Sequence, residues 1–338
     1  MDTLYAARLH GFPNLTRGGT EPALTEQSVL SLLIVLGSSL SLVALVFAFI
    51  TYSLFSDLRN LSGTTLMNLL SALFMSQILH VVGVGGVMDS ELCIAMAFAL
   101  QYVRLCVFTW MLLMTHNMYS QFKTGLHLVP VNDDDIGSKF IRYSLFGWGV
   151  PSLLLLASIS TQYYERAGNL LDTKGMKERN CWFLDDDAFV YGSVLPSGAF
   201  AAATFYYLLR STVLSRYIVG MQTDKRIRDK MRRKRTLQII LFTKIAIVLS
   251  MVLTLSALTK LIPSDAIWIS FHVVQGLQGI LVALLVTCNC QVLKLYASSI
   301  RKRAAKHVPS YIGLTKTAAP NASTSLQLLA WDPPPDLV

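Results

Sequence analysis

Residues 27–56 read QSVLSLLIVLGSSLSLVALVFAFITYSLFS and contain no Asp, Glu, Lys or Arg. About 20 apolar residues in a helix cross the hydrocarbon core of a bilayer, which is roughly 30 Å thick. Within lipid every backbone N–H and C=O group must find its partner inside the segment, which favours a helix. A strand of a membrane barrel needs only about ten residues of alternating polarity. This stretch therefore predicts a membrane-spanning helix.

Six further windows share this composition. Residues 60–88, 143–164, 188–209 and 266–293 carry no charged side chain, while 92–122 contains only Arg104 and 236–259 only Lys244. The whole chain is 53% hydrophobic and 14% charged, against about a quarter charged in soluble domains, which excludes an ordinary cytosolic enzyme. The sequence predicts an all-α, seven-transmembrane helix bundle over residues 29–296. The predicted spans are 29–52, 60–86, 92–119, 143–164, 188–213, 236–261 and 266–294.

The Lys and Arg residues of the connections predict the orientation. With the N-terminus outside, the cytoplasmic side holds 20 of them and the outer side seven, in agreement with the cytoplasmic preference of basic residues. We expect a short extracellular N-terminus at 1–28, a basic juxtamembrane helix at 297–308 and a disordered cytoplasmic tail at 309–338. The net charge of +9 follows from this topology, so no nucleic-acid partner is expected.

Three Asn-x-Ser/Thr sequons fall on different sides of the predicted membrane. Asn14-Leu15-Thr16 lies in the outer segment, whereas the sequons that begin at Asn60 and Asn321 lie on the cytoplasmic side. Only an outer sequon can receive an N-linked glycan. Asn14 is therefore the predicted glycosylation site.

The predicted spans lack the groups that most membrane enzymes and cofactors require. A retinal protein needs a Lys in the seventh span, and residues 266–293 contain none. No acid lies in any span, and His80, His116 and His272 stand on three helices at different depths, which disfavours a metal hydrolase. Ion-coupled transporters usually carry intramembrane acids and internal repeats. We therefore predict a receptor rather than an enzyme, with neither a cofactor nor a metal.

Short motifs follow one another along the predicted spans. They are Leu58-Arg59-Asn60-Leu61, Phe108-Thr109-Trp110-Met111, Gly147-Trp148-Gly149-Val150-Pro151, Cys181-Trp182-Phe183 and Leu277-Gln278-Gly279. In this order and spacing the chain resembles the methuselah-type receptors, an arthropod branch near the secretin and adhesion G-protein-coupled receptors. The resemblance covers about residues 55–296.

The resemblance implies a multi-pass receptor of the plasma membrane. Such a receptor binds an extracellular ligand, a peptide or a small molecule, between its outer helix ends and activates a heterotrimeric G protein. The resemblance also implies a disulfide between Cys93 and Cys181, which both face the oxidising side in the predicted topology.

Two features differ from the methuselah pattern and leave alternatives open. About 28 residues precede the first span, where methuselah-type receptors carry a large extracellular domain, and Met251 stands where the family usually has a Trp. One alternative is a receptor of the slime-mould cyclic-AMP type, which shares a Trp-Gly-x-Pro in helix 4 and a Cys-Trp in the second outer loop. The other is a truncated, non-signalling interaction protein that lacks the family ectodomain.

Arg104 is the charged residue of the third span and the first candidate for ligand binding. It lies eleven positions after Cys93, hence about 16 Å below the outer end of the span. Burial of Arg at a helix centre costs about 2.5–3.5 kcal/mol, so Arg104 is predicted to face the bundle interior. We expect it either to be satisfied structurally or to bind a ligand carboxylate or phosphate. The other ligand-pocket candidates are Gln101, His80, Trp182, His272 and Gln275.

Residues 225–235 carry eight cations in eleven positions before the sixth span. Anionic lipid at the cytoplasmic face attracts such segments by about 1 kcal/mol per basic residue. We also expect this segment to border the G-protein groove, with Arg228, Arg232 and Arg233 as coupling candidates. The following span has neither Gly nor Pro between Thr236 and Ile262, which predicts a helix with a straight middle.

Overall fold

A computed structural model of the chain describes residues 26–55, 60–84, 90–124, 134–165, 189–262, 264–288 and 292. Seven long α-helices make up most of this part of the chain. They are α1 (Glu26–Leu54), α2 (Leu61–Val84), α3 (Ser90–Thr124), α4 (Asp134–Glu165), α5 (Leu195–Met221), α6 (Lys225–Leu261) and α7 (Asp265–Thr287). A π-helical turn, Val190–Val194, leads directly into α5.

The helices form a closed bundle around α3. Helix α1 packs between α2 and α7, α3 contacts α2, α4 and α5, and α6 lies between α5 and α7. The core is built on α3, where Leu105, Trp110, Met111 and Met114 are fully buried. The predicted seven-helix bundle is thereby confirmed.

Six of the helices in the described part of the chain are long and apolar enough to cross a membrane, namely α1, α2, α3, α4, α6 and α7. Helix α5 carries several Ser, Thr and Tyr residues and Arg210, which lower its mean hydropathy, yet it packs between α3 and α6 in the same bundle. Large apolar side chains point outward around the bundle, such as Val43, Leu145, Leu153 and Leu209. A lipid environment accommodates this surface, which water would not.

Small residues bring α1 and α7 close together. The Ser41 hydroxyl donates to the backbone carbonyl of Gly276, and the backbone N–H of Ile280 donates to Ser41 Oγ at 3.2 Å. A regular helix would pair these two backbone groups of α7 with each other. A Cβ atom on Gly279 would lie 2.7 Å from Ser41 Cβ, so this seam requires a glycine.

The Gly147-Trp148 pair joins α4 to two neighbouring helices. A Cβ atom on Gly147 would lie 2.5 Å from Cε2 of Trp110, whose ring is fully buried. The Trp148 indole N–H donates to Asn68 Oδ1 on α2 at 3.4 Å, and its ring meets Trp110 edge-on at a centroid distance of 5.8 Å. The motif in the fourth span thus has a packing role.

Candidate functional site

A cavity of about 30 Å³ lies between α2, α3, α5, α6 and α7. Its apolar lining includes Phe108, Phe189 and Phe271. Its polar lining consists of side chains from all five helices and the π-helical turn: Ser76, Arg104, Ser193, Ser197, Ser256, Gln275 and Gln278. Binding sites for small molecules are concave and mostly apolar, with a few polar groups that fix the orientation of the ligand. The cavity has this composition.

Arg104 supplies the positive charge of the cavity. It is partly buried on α3, and its guanidinium carbon lies 6.0 Å from the centre of the Phe189 ring, within the range of a cation–π contact. Among the described residues that line the cavity, Arg104 is the only charged one.

The π-helical turn forms part of the cavity wall, and Gln101 holds it in place. Gln101 Nε2 donates to the carbonyl oxygen of Gly192 at 2.9 Å and to Ser158 Oγ at 3.2 Å. Single π turns are common at functional sites because they change the direction of the side chains that follow. Here the turn carries Ser193 into the lining while Gln101 supports the wall from behind.

Two of the candidate histidines form a stacked pair between α2 and α7. The ring centroids of His80 and His272 are 5.4 Å apart, and both side chains are buried. His272 also lies 4.2 Å from the Trp268 ring. These histidines are not among the lining residues of the cavity. They join the two helices that bring Ser76 and Gln275 to it.

Gln275 connects α7 to α2 through its backbone and reaches the cavity with its side chain. Its carbonyl oxygen accepts a 2.7 Å hydrogen bond from Gln77 Nε2 on α2. The structure thus brings Arg104 and Gln275 to one cavity, whereas their role as ligand contacts stays a prediction.

The basic segment at residues 225–235 is the N-terminal part of α6. Asp224 caps it by accepting from the Arg226 backbone N–H at 2.8 Å. Arg232 and Arg233 are exposed and Arg228 is partly exposed. These three coupling candidates are therefore accessible to lipid or to a protein partner.

The last cation of this segment, Arg235, was not singled out by the sequence reasoning and differs from the others. It is only 2% exposed. Its guanidinium carbon lies 4.9 Å from the centre of the ring of Phe122 at the end of α3, and Phe122 is itself buried. This contact joins α3 and α6 near the ends that the predicted orientation places on the cytoplasmic side, the inner ends. Its signal in the sequence is weak, since Arg235 looks like one more member of a basic run.

Several predicted sites lie outside the described residues. They are the side chain of Cys93, together with Asn14, Cys181, Trp182, the juxtamembrane segment 297–308 and the tail 309–338. Within the part of the chain that is described, no three His, Cys, Asp or Glu side chains come close enough to share a metal ion.

The family follows from a match over most of the chain. Residues 27–282 match the profile of a family described as "7 transmembrane receptor (Secretin family)". The chain belongs to this family of receptors. The secretin-family fold places α1 to α7 in the membrane, and the protein is a multi-pass protein of the plasma membrane.

Curated relatives of this secretin-family chain include adhesion receptors. The chain is 29% identical over 202 residues to human adhesion G protein-coupled receptor E3. This match covers 59% of this chain and 29% of that receptor. It is 29% identical over 215 residues to human adhesion G-protein coupled receptor G4, or 63% of this chain and 6% of that receptor. It is 30% identical over 161 residues to mouse cadherin EGF LAG seven-pass G-type receptor 1. This match covers 47% of this chain and 5% of that receptor.

The matched region is a small part of each relative, since the chain spans less than a third of their length. The expected kinship with the secretin and adhesion receptors is confirmed. The methuselah-type branch is a finer assignment and stays a prediction.

Proposed function

We propose that this chain is a cell-surface receptor that binds an extracellular ligand, a peptide or a small molecule, and activates a heterotrimeric G protein. We further propose that it is not an enzyme. The observation that carries the proposal is the cavity beside Arg104, formed by five helices of a chain that belongs to a receptor family. Two of its relatives are named as G protein-coupled receptors.

Nucleotide exchange on purified G proteins tests this function directly. The full chain, reconstituted in lipid nanodiscs, should accelerate exchange on at least one Gα class relative to empty nanodiscs. No acceleration on any Gα class would contradict G-protein activation and would favour the non-signalling alternative. Co-purification of the chain with a full-length adhesion receptor would then be the next measurement.

The exposed cations of α6 are proposed to contact both anionic lipid and the G protein. Replacement of Arg228, Arg232 and Arg233 with Gln should lower nucleotide exchange at unchanged surface expression. The matched control removes three cations of the same segment, all of them exposed: Lys225, Arg226 and Lys230. Lipid attraction depends mainly on the number of charges near the membrane. Equal losses in the two triple variants would therefore reduce the role of this segment to lipid anchoring.

The orientation is proposed to be N-terminus outside. Glycosidase treatment should shift the mobility of the chain, and Asn14→Gln should abolish this shift. Asn60→Gln and Asn321→Gln are the controls, because both sequons lie on the proposed cytoplasmic side. A glycan that survives Asn14→Gln would overturn the orientation.

The disulfide between Cys93 and Cys181 is also a proposal. Mass spectrometry of peptides from the unreduced protein should recover the two cysteines in one cross-linked peptide. Recovery of both cysteines as free thiols would refute the proposed disulfide.

A further inference from the structure

Helices α4 and α5 leave a groove between them on one half of the bundle. Helix α4 contacts the π-helical turn at the start of α5, but beyond this turn the two helices hardly touch in the described part of the chain. His116 of α3 stands between them instead. Its Nδ1 atom lies 3.1 Å from the Tyr143 hydroxyl on α4, and its ring centroid lies 5.2 Å from that of Tyr207 on α5. These three half-buried side chains form the floor of the α4–α5 groove, which opens to the surface of the bundle.

Two tyrosine–cation pairs stand at the rim of the α4–α5 groove. Lys123 follows Tyr119 by four residues on α3, and Arg210 follows Tyr206 by four residues on α5, so each cation lies one turn beyond its tyrosine. Arg210 Nε donates to the Tyr206 hydroxyl at 3.1 Å. The rings of Tyr119 and Tyr207 have centroids 5.7 Å apart, which brings the two pairs to one edge. Both cations are exposed, and the predicted orientation places them on the cytoplasmic side of their tyrosines.

The helices that carry these two cations do not match them with acids. Helix α5 contains no Asp or Glu, and the single acid of α3, Glu91, lies at its opposite end. Neither Lys123 nor Arg210 forms an ion pair with another described residue. Helix α4 is balanced at this end, since Lys139 and Arg142 are accompanied by two aspartates in its first turn. The excess positive charge at the rim therefore belongs to α3 and α5.

The part of the groove beyond the tyrosines is apolar. On α4, Phe146 and Val150 follow Tyr143 on the same helix face, and on α5 Phe200 and Ala203 precede Tyr207 on its face. Phe146 is 59% exposed, and the other three side chains are half-buried. The groove thus has cations at its cytoplasmic rim and an apolar surface toward the middle of the membrane.

This arrangement selects the class of ligand. Basic pockets between helices on the cytoplasmic side of a membrane bind anionic headgroups, and a guanidinium holds a phosphate through parallel hydrogen bonds. A sterol would leave the two cations without an anion. A free phosphate would leave the apolar surface uncovered. A phospholipid with a net negative headgroup complements both parts.

We propose that the α4–α5 groove binds one anionic phospholipid of the inner leaflet. Its headgroup lies at Arg210 and Lys123, and one acyl chain lies along the apolar part of the groove. The site is separate from the basic segment 225–235 of α6. The proposal goes beyond the proposed function and uses the proposed orientation only to name the leaflet. Lipid binding requires no G protein, so the two proposals can fail separately.

The test is native mass spectrometry of the purified full chain in detergent with two competing lipids. The lipids are dioleoyl phosphatidylserine and dioleoyl phosphatidylcholine, which share their acyl chains and differ in net charge. The wild-type chain should retain one phosphatidylserine in preference to phosphatidylcholine. Glycerophosphoserine, the headgroup without acyl chains, should not displace it. These two contrasts need no variant and therefore do not depend on how a mutant folds.

Charge variants assign the binding to the rim. Lys123→Gln combined with Arg210→Gln should weaken phosphatidylserine about 10- to 30-fold, as expected for two basic residues that contact an anionic headgroup. The matched control, Arg216→Gln combined with Lys225→Gln, also removes two exposed cations but leaves the rim intact. It should bind phosphatidylserine as the wild type does.

A steric pair of variants tests the apolar part without changing charge. Ala203→Trp should fill the groove and weaken lipid retention several-fold. Ala202→Trp is the control, because Ala202 is exposed on a neighbouring face of α5 and a ring there should leave retention unchanged. The thermal midpoint of each variant shows that the compared proteins are folded.

The opposite results overturn the proposal. Equal retention of the two lipids by the wild type would show that the headgroup charge is not recognised, and displacement by glycerophosphoserine would reduce the site to a headgroup site. Equal losses in the two double variants would reduce the binding to general attraction by charge. Full binding to the Lys123→Gln and Arg210→Gln double variant would remove the site. Selective lipid binding without nucleotide exchange would leave this site in place and refute the proposed signalling.

Discussion

Replacement of Phe122 with Leu should raise the basal activity of this receptor. Phe122 ends α3, and its ring faces the buried guanidinium of Arg235 on α6 at 4.9 Å. Both side chains are almost fully shielded from solvent. On the proposed function, a G protein enters between the inner helix ends and separates α3 from α6 in that region. We therefore assign the contact to the resting state of the receptor.

The size of the effect follows from this burial. A desolvated cation–π contact contributes about 2 kcal/mol, and about 1.4 kcal/mol corresponds to a tenfold change in an equilibrium. Loss of the contact should therefore raise the ratio of active to resting receptor roughly 30-fold. A receptor that is about 1% active at rest becomes about a quarter active.

The assay is agonist-independent nucleotide exchange at matched surface density. Phe122→Tyr is the control, because it retains the ring face and should leave basal activity unchanged. A distance measurement between spin labels at the inner ends of α3 and α6 should show a wider distribution in Phe122→Leu, whether or not a G protein is present. Unchanged basal exchange together with an unchanged distance would refute the assignment of this contact to the resting state.

Two glycine substitutions test the seams between helices. Gly147→Ala should lower the thermal midpoint, because the new Cβ would lie 2.5 Å from the Trp110 ring and overpacking costs about 1–3 kcal/mol. Gly149→Ala meets nothing within 4 Å and should leave the midpoint unchanged or raise it, since Ala is the better helix former by about 1 kcal/mol; equal effects would contradict the packing. Gly279→Ala should likewise lower the midpoint, through the 2.7 Å approach to Ser41 Cβ, and a midpoint at the wild-type value would show that this seam relaxes.

The bundle was predictable because a bilayer imposes its constraint on contiguous sequence. A helix in lipid needs a long window without charge, and such windows can be found without knowledge of the fold. Helix α5 was predicted from its lack of charged residues. Its Ser, Thr and Tyr residues lower its hydropathy, but the charge-free window 188–209 still identified it. Its place between α3 and α6 follows from tertiary packing.

The cavity was only partly predictable. Arg104 stood out because a lone cation in an apolar span is costly and has to face the interior. Ser197 and Ser256 did not stand out, since serine occurs on many faces of these helices and only the assembled bundle shows which ones share a cavity. The π-helical turn also has no simple sequence signal. It nevertheless determines that Ser193 and Phe189 belong to the wall.

The role of Arg235 required the fold for a geometric reason. Along a helix each residue turns by about 100°, so neighbours in a basic run point in different directions. Arg232 and Arg233 are exposed, whereas Arg235 turns inward beneath Phe122. A count of charges treats these residues alike. Only the register of α6 against α3 separates the buried cation from the exposed ones.

Helix α6 links the cavity to this inner contact. It runs as one uninterrupted helix from Lys225 to Leu261, and its stretch from Leu249 to Ser256 lines the cavity. Fourteen residues separate Arg235 from Leu249, or about 21 Å at 1.5 Å per residue. The sequence predicts a straight middle for this helix because Gly and Pro, common causes of kinks, are absent there. A displacement of α6 at the cavity would then reach the inner contact as a tilt of the whole helix, so that ligand binding and the Arg235–Phe122 contact act on one rigid element.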